Sequence, residues 1–352
     1  MRNLSHIYSY VPFILRRRFK DKYIIIESDD WGMEHSASIK AIDFLKRQYG
    51  SENFTRWTTD SLETVEDLSL LFDLISKFKD YFEYPPVLTA NFVTHNIDYN
   101  NSDSLSFLPL SSYLIKEPEL VAKYREGIKN KILLPQLHGY CHYDTSKLVS
   151  FYSSDEGKEL FKTGFLTGKS TLRGNLGQLR SELTQNNVEV EKKLKLAINE
   201  FYNLFNYYPI SIVPPHFILD KQYFKILCNS GIQAIQASSR LMDSRGKRYR
   251  KIYFRKNNGF LWVPRNARLD PHPDYNFYSG HCISDISRAF KAHIPAVIDF
   301  HRVNISGRFN SEYRDKSLDE LDKVLKSVIN LWPETKFITI LELIQLCQTT
   351  TI

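Results

Sequence analysis

Apolar residues fall into two alternating patterns along this chain. Short runs rich in Ile, Val and Leu, bounded by turn residues, predict buried strands at Ile24–Ile26, Val87–Val93, Ile132–Leu137, Ile210–Val213, Gln233–Ala237, Ala296–Phe300 and Lys336–Ile340. Between them, apolar positions at three- and four-residue spacing predict helices over Ile39–Gly50, Leu62–Phe78, Glu117–Asn130, Val188–Phe205, Ile283–Lys291 and Leu318–Leu331. Two more helices are expected, one from about Lys221 and one at the end of the chain. Residues 252–263 predict a hairpin around Asn257-Asn258-Gly259. Strand alternating with helix implies the α/β class, with a mostly parallel sheet that is open or closed into a barrel. Residues 145–185 are polar and helix-prone, and are expected to form an insertion or lid. A second domain is not required: residues 1–22 form a basic segment and 23–352 one domain.

Composition narrows this little. With 352 residues, 42% hydrophobic and 25% charged, the chain can bury a large core. The 21 Tyr and 23 Phe suit a carbohydrate-facing surface or a well-filled interior equally. A formal net charge of +7 favours anionic partners. The basic residues are scattered beyond the N-terminus, with no RNA-binding signature or zinc-finger spacing, so nucleic acid is not expected. Cys141, Cys228, Cys282 and Cys347 form no CxxC pair and point to a reducing compartment. No apolar run approaches the ~20 residues that span a bilayer. The N-terminus lacks a secretory signal pattern, so a cytoplasmic location is expected. Ile7, Val11, Ile14 and Leu15 with Arg16–Arg18 form a basic amphipathic segment that either packs on the domain or rests on an anionic membrane.

The strand ends carry the chemistry, as in α/β folds generally. They are Asp29-Asp30, His138 with His142, Pro214-Pro215-His216-Phe217, Arg265-Asn266 and His301-Arg302. A strand that exits into two adjacent carboxylates sets charges at the core's edge, where anions are costly unless paired or metal-bound. His138 and His142 stand four apart on a strand-to-loop turn. Two imidazoles and one carboxylate make a three-ligand metal site with open positions. His35 either lines the site or stands at an exposed helix start, the latter expected, and His272 is expected in a loop. His216 either contacts substrate or packs on the rim, and Trp31 and Tyr140 either stack on a sugar or pack. Gly164–Ser170 is one residue short of a phosphate loop and lacks a preceding strand. No GxSxG elbow is present.

Asp29-Asp30-Trp31-Gly32 resembles the first motif of the NodB-type polysaccharide deacetylases, the carbohydrate esterase family 4 superfamily. His138-Gly139-Tyr140-Cys141-His142 is similar to the second motif, Pro214-Pro215-His216-Phe217 to the third, and Val297–His301 to the last. The resemblance implies a distorted (β/α) barrel. It also implies one divalent metal on Asp30, His138 and His142, zinc first, with cobalt, nickel or manganese as alternatives. By the same carry-over Asp29 is the general base and His301 the general acid. Trp31, Tyr140, Pro215, His216, Arg265 and Arg302 make up the candidate substrate-binding set.

Two positions depart from the family. Val213 stands where an arginine usually tethers the base, a role open to Arg265 or Arg302. Gln236–Arg240 occupies the place of the fourth motif, which usually carries tryptophan and aspartate. The expected function is removal of an N-acetyl group from a sugar in a glycan or glycolipid. The alternatives are another amide, a glycosidic bond, or a catalytically lapsed glycan-binding protein.

Overall fold

The computed structural model describes residues 17–101, 105–166, 181–184, 187–238, 241–249 and 253–349. Most of the N-terminal segment, residues 167–180 of the expected insertion, and Ser239-Arg240 lie outside the described residues. The architecture is mixed α/β. Strand β1 (Tyr23–Trp31) is buried along its whole length and pairs in parallel with β2 (Leu88–Val93), β11 (Ala296–Asp299) and β12 (Lys336–Phe337). From β2 the parallel ladder continues through β5 (Leu133–Gly139), β6 (Ser211–Ile212) and β7 (Ala234–Ala237) to β9 (Phe260–Pro264). The chain then runs on from β9 into β10 (Ala267–Arg268), which pairs with β11. One continuous segment, 260–268, therefore hydrogen-bonds to both ends of the ladder. The expected hairpin is present: β8 (Lys256–Asn257) pairs antiparallel with β9. A small hairpin of β3 (His95–Ile97) and β4 (Phe107–Pro109), absent from the sequence reading, sits in the polar loop after β2.

Burial on both faces explains the near-continuous apolar strands. Ile24 and Ile26 pack against the helices Val65–Ser76, Ser279–Lys291 and Ser311–Leu331, in one cluster with Leu68, Leu71, Ile286, Leu321 and Val324. Ile25, pointing the other way, joins Val297, Leu261 and Val263 with Ile340 and Leu343 of the terminal helix. The helices Thr145–Tyr152 and Asp155–Thr163 pack Leu148, Tyr152 and Leu160 on Met33 and Val93. Among the described residues, no helix is long and apolar enough to cross a membrane.

Two register shifts matter most for function. Between Ser28↔Ala90 and Trp31↔Phe92, β1 carries one residue more than β2, at Asp29-Asp30. Between Phe92↔Leu137 and Val93↔Gly139, β5 carries one residue more than β2, at His138. An extra residue in a strand breaks the alternation of faces and re-aims side chains. Asp30, with φ 68°, takes the left-handed conformation within the first shift.

Candidate metal centre and its surroundings

The bulges bring the first two motifs together. His138 Nε2 lies 3.3 Å and His142 Nε2 3.4 Å from Asp30 Oδ1. His138 Nδ1 is 2.8 Å from the Val213 carbonyl, which can only accept, so Nδ1 carries a proton and, in the neutral ring, Nε2 keeps its lone pair. Asp30 Oδ1 is buried and has no hydrogen-bond partner. One carboxylate oxygen and two imidazole nitrogens, converging with an unpartnered buried anion, are a donor set that fits a divalent cation. Burial opposes the Asp30 carboxylate, but His138 and His142, when protonated, outweigh it and hold its pKa well below the usual range.

Asp29 has opposite surroundings. Arg265 grips it at both oxygens, Nη1 to Oδ2 at 2.5 Å and Nη2 to Oδ1 at 2.6 Å, and Asn91 donates to Oδ1 at 3.0 Å. The same guanidinium reaches Glu27 and Asp299, each at 2.8 Å. Such a planar two-point clamp is what Arg provides and Lys does not. Burial raises the Asp29 pKa, yet Arg265 and His138 reverse this and leave it lowered.

His301 completes the group. A ring nitrogen of His301 lies within 4.8 Å of an Asp29 carboxylate oxygen. Its Nδ1 faces Asp270 Oδ1 at 3.4 Å and Asp299 Oδ1 at 3.7 Å. Burial lowers its pKa, but Asp299 and Asp270 overcome that and hold it up at about 9. Asp270 is fixed in turn by Arg56 Nη1 at 2.6 Å. Arg56 is stacked between Trp57 and Tyr275, with its guanidinium carbon 4.5 and 4.3 Å from the ring centroids. Trp57 stands edge-to-face with His301 at 5.5 Å.

The remaining sequence-chosen residues divide. Tyr140 is half-buried and stacks on His95 at 3.9 Å, while His216 lies beside His142 at 4.4 Å, with buried Pro215 preceding it. Trp31 is wholly buried and donates its indole N–H to Ser28 Oγ, so its ring has no face open to a sugar. Arg302 is fully buried beneath the site, donating Nε–H to the Asp30 carbonyl at 2.7 Å and pairing with Asp60 at 2.8 Å, which leaves it no surface for substrate. Arg265 is likewise buried, engaged with carboxylates rather than with the exterior. His35 is buried between Trp57 and Tyr143, not exposed at a helix start, and burial pushes its pKa down to about 4. Cys141 and Cys282 are buried, Cys347 is intermediate, and Cys228 is exposed; all four are free thiols.

Sequence reasoning passed over Asn91, Asp270, Asp299, Arg56, Trp57 and Glu182. Asp270 did carry a usable signal, a carboxylate just past the short strand β10. Glu182 carried none, since nothing in its neighbourhood marks it as a partner of residues 40 positions away.

No protein-family profile matches the chain, and no curated protein matches it. Among solved structures it is similar to 4-alpha-glucanotransferase from Thermococcus litoralis, at 9% identity and a TM-score of 0.49 over 92% of this chain. It spans 38% of the glucanotransferase's length. It is also similar to a putative polysaccharide deacetylase from Mycobacterium smegmatis, at 9% identity and a TM-score of 0.43, covering 94% of this chain and 91% of that one. A third is the peptidoglycan deacetylase PdaC from Bacillus subtilis, at 9% identity and a TM-score of 0.42, covering 94% and 92%.

Proposed function

We propose that this chain is a metal-dependent hydrolase that removes the acetyl group from an N-acetylated sugar, on a distorted (β/α) barrel closed by the segment 260–268. The observation that carries the reading is the contrast between adjacent carboxylates. Asp30 offers an unpartnered oxygen to two imidazoles, and Asp29 is clamped by arginine within reach of a histidine. The choice of an N-acetyl sugar rests on the four motif resemblances in the sequence.

Asp30, His138 and His142 would hold one divalent ion, zinc before cobalt, nickel or manganese. When bound, such an ion supplies Lewis acidity toward the acyl oxygen and acidifies water. Arg265 keeps Asp29 ionised and fixed, which orients the carboxylate but weakens it as a base. Asp29 is therefore suited to take a proton from an acidified water, not from an ordinary one. His301, protonated below about 9, has Nδ1 turned to Asp270 and Asp299, so Nε2 is the nitrogen left to deliver a proton to the leaving amine. In this reading Arg265 takes the tethering role that Val213 leaves vacant. Asp270 and Trp57, from distant parts of the chain, supply beside His301 the residue types of the missing fourth motif.

The direct test is acetate release from N-acetylated glucosamine oligomers by protein loaded with zinc or cobalt. Metal-dependent release supports the reading. Metal-loaded protein that releases neither acetate nor free amine from any N-acetylated sugar overturns it.

A further inference from the structure

The loop that carries the two histidines is wrapped around a carboxylate. Glu182 Oε1 accepts from the backbone N–H of Tyr140 at 2.6 Å, and Oε2 accepts from those of Cys141 at 2.7 Å and His142 at 3.0 Å. Successive N–H groups aimed at one point form an anion-binding concavity; here the chain fills it with its own buried side chain. The fit is close. A Cβ on Gly139, whose φ is 111°, would come within 2.2 Å of Glu182 Oε1. At the other end of the loop His142 has φ 73°, a left-handed conformation that side-chain-bearing residues adopt only when their surroundings impose it.

The geometry points to Glu182 as the positioning residue of the metal centre, the group whose carboxylate holds Tyr140–His142 in the conformation that turns the His142 imidazole onto Asp30. This rests on the metal-centre reading above. The two oxygens share three donors, so an amide cannot replace the carboxylate. Glutamine has one acceptor oxygen, and its NH₂ would confront either the Tyr140 N–H or the Cys141 and His142 N–H pair. Groups that orient metal ligands without touching the metal are worth roughly 10- to 100-fold in metal affinity.

The test is the affinity for Zn²⁺, measured by competition with a chromogenic chelator, and the visible spectrum of the Co²⁺ protein. These are compared for wild type, Glu182→Gln and Glu182→Ala, with thermal unfolding of the metal-free proteins as a folding control. The expected result is a roughly 10- to 100-fold loss of Zn²⁺ affinity and an altered Co²⁺ spectrum in both variants. Formate is the probe for the carboxylate's role. Added to Glu182→Ala, it should restore affinity with saturation, while leaving wild type unmoved. Folded variants that bind Zn²⁺ like wild type overturn the inference, as does a lost affinity that formate does not recover. If Glu182→Ala fails to fold, Glu182→Gln with an unchanged Co²⁺ spectrum and affinity overturns it alone. Wild-type protein that binds no metal sinks the underlying metal-centre reading, an outcome distinct from wild-type binding with indifferent variants.

Discussion

Asp29 and Asp30 are consecutive in sequence and equally buried, yet they occupy opposite electrostatic worlds. Every oxygen of Asp29 has a hydrogen-bond donor, from Arg265 and Asn91. Asp30 has an oxygen with none, facing two imidazole nitrogens. A buried carboxylate without donors is costly unless a cation attends it. Neutralisation thus comes to Asp29 from within the chain, while Asp30 keeps an oxygen free for the proposed ion. The difference arises from the extra residue in β1, which lets neighbouring side chains serve two pockets where a regular strand would send them to opposite faces.

The largest effect is expected on the Asp30 side. His138→Ala and His142→Ala should each lose most bound metal by elemental analysis, and full occupancy in both would remove the proposed centre. On the other side, His301→Ala should keep its metal and lose turnover by roughly 10² to 10⁴, the usual worth of a positioned general acid. A variant with metal and near-normal acetate release would strip His301 of that role.

Arg265→Met tests whether Asp29 depends on an internal cation. It strands Glu27, Asp29 and Asp299 as buried carboxylates. Chemical denaturation should show a loss of about 3–5 kcal/mol, as for other broken buried pairs. A loss well under 1 kcal/mol would mean that the clamp is not what makes this burial tolerable.

The smallest effect is on pH. As the proposed general acid His301 acts only when protonated, and its pKa is held at about 9, so wild-type kcat/KM should fall as pH rises through that value. Asp270→Asn removes one of the two anions that raise it, and the alkaline limb should move toward neutral by roughly 1 unit. An unmoved limb would place the controlling proton elsewhere.

What the sequence disclosed follows from what is local. The apolar runs located β1, β2, β5 and β11 because strands buried on both faces need them, and the polar residues that end them are the site. Strand β6 shrank to Ser211–Ile212 and β12 to Lys336–Phe337, since an apolar run does not reveal how much of it finds a pairing partner. His138 and His142, the proposed ligands, were legible because a four-residue spacing lies within one turn of chain. Arg265 was visible only as a strand end; its grip on Asp29 spans 236 residues and left no spacing to read. Arg56 and Glu182 were invisible for the same reason, and Asp270 showed only as a carboxylate just past β10. Trp31 and His35 were left between two readings each, because proximity to a strand end says nothing about which side of the backbone is open.

In the proposed mechanism two adjacent aspartates divide metal binding from proton transfer. Metal content and acetate release measured together on Asp29→Asn and Asp30→Asn test it most directly. Asp29→Asn should retain about one equivalent of metal while turnover falls by roughly 10² to 10⁴. Asp30→Asn should bind metal weakly and regain part of its turnover at high metal concentration. Near-normal turnover in Asp29→Asn, or undiminished metal affinity in Asp30→Asn, would show that the two carboxylates do not divide the work in this way.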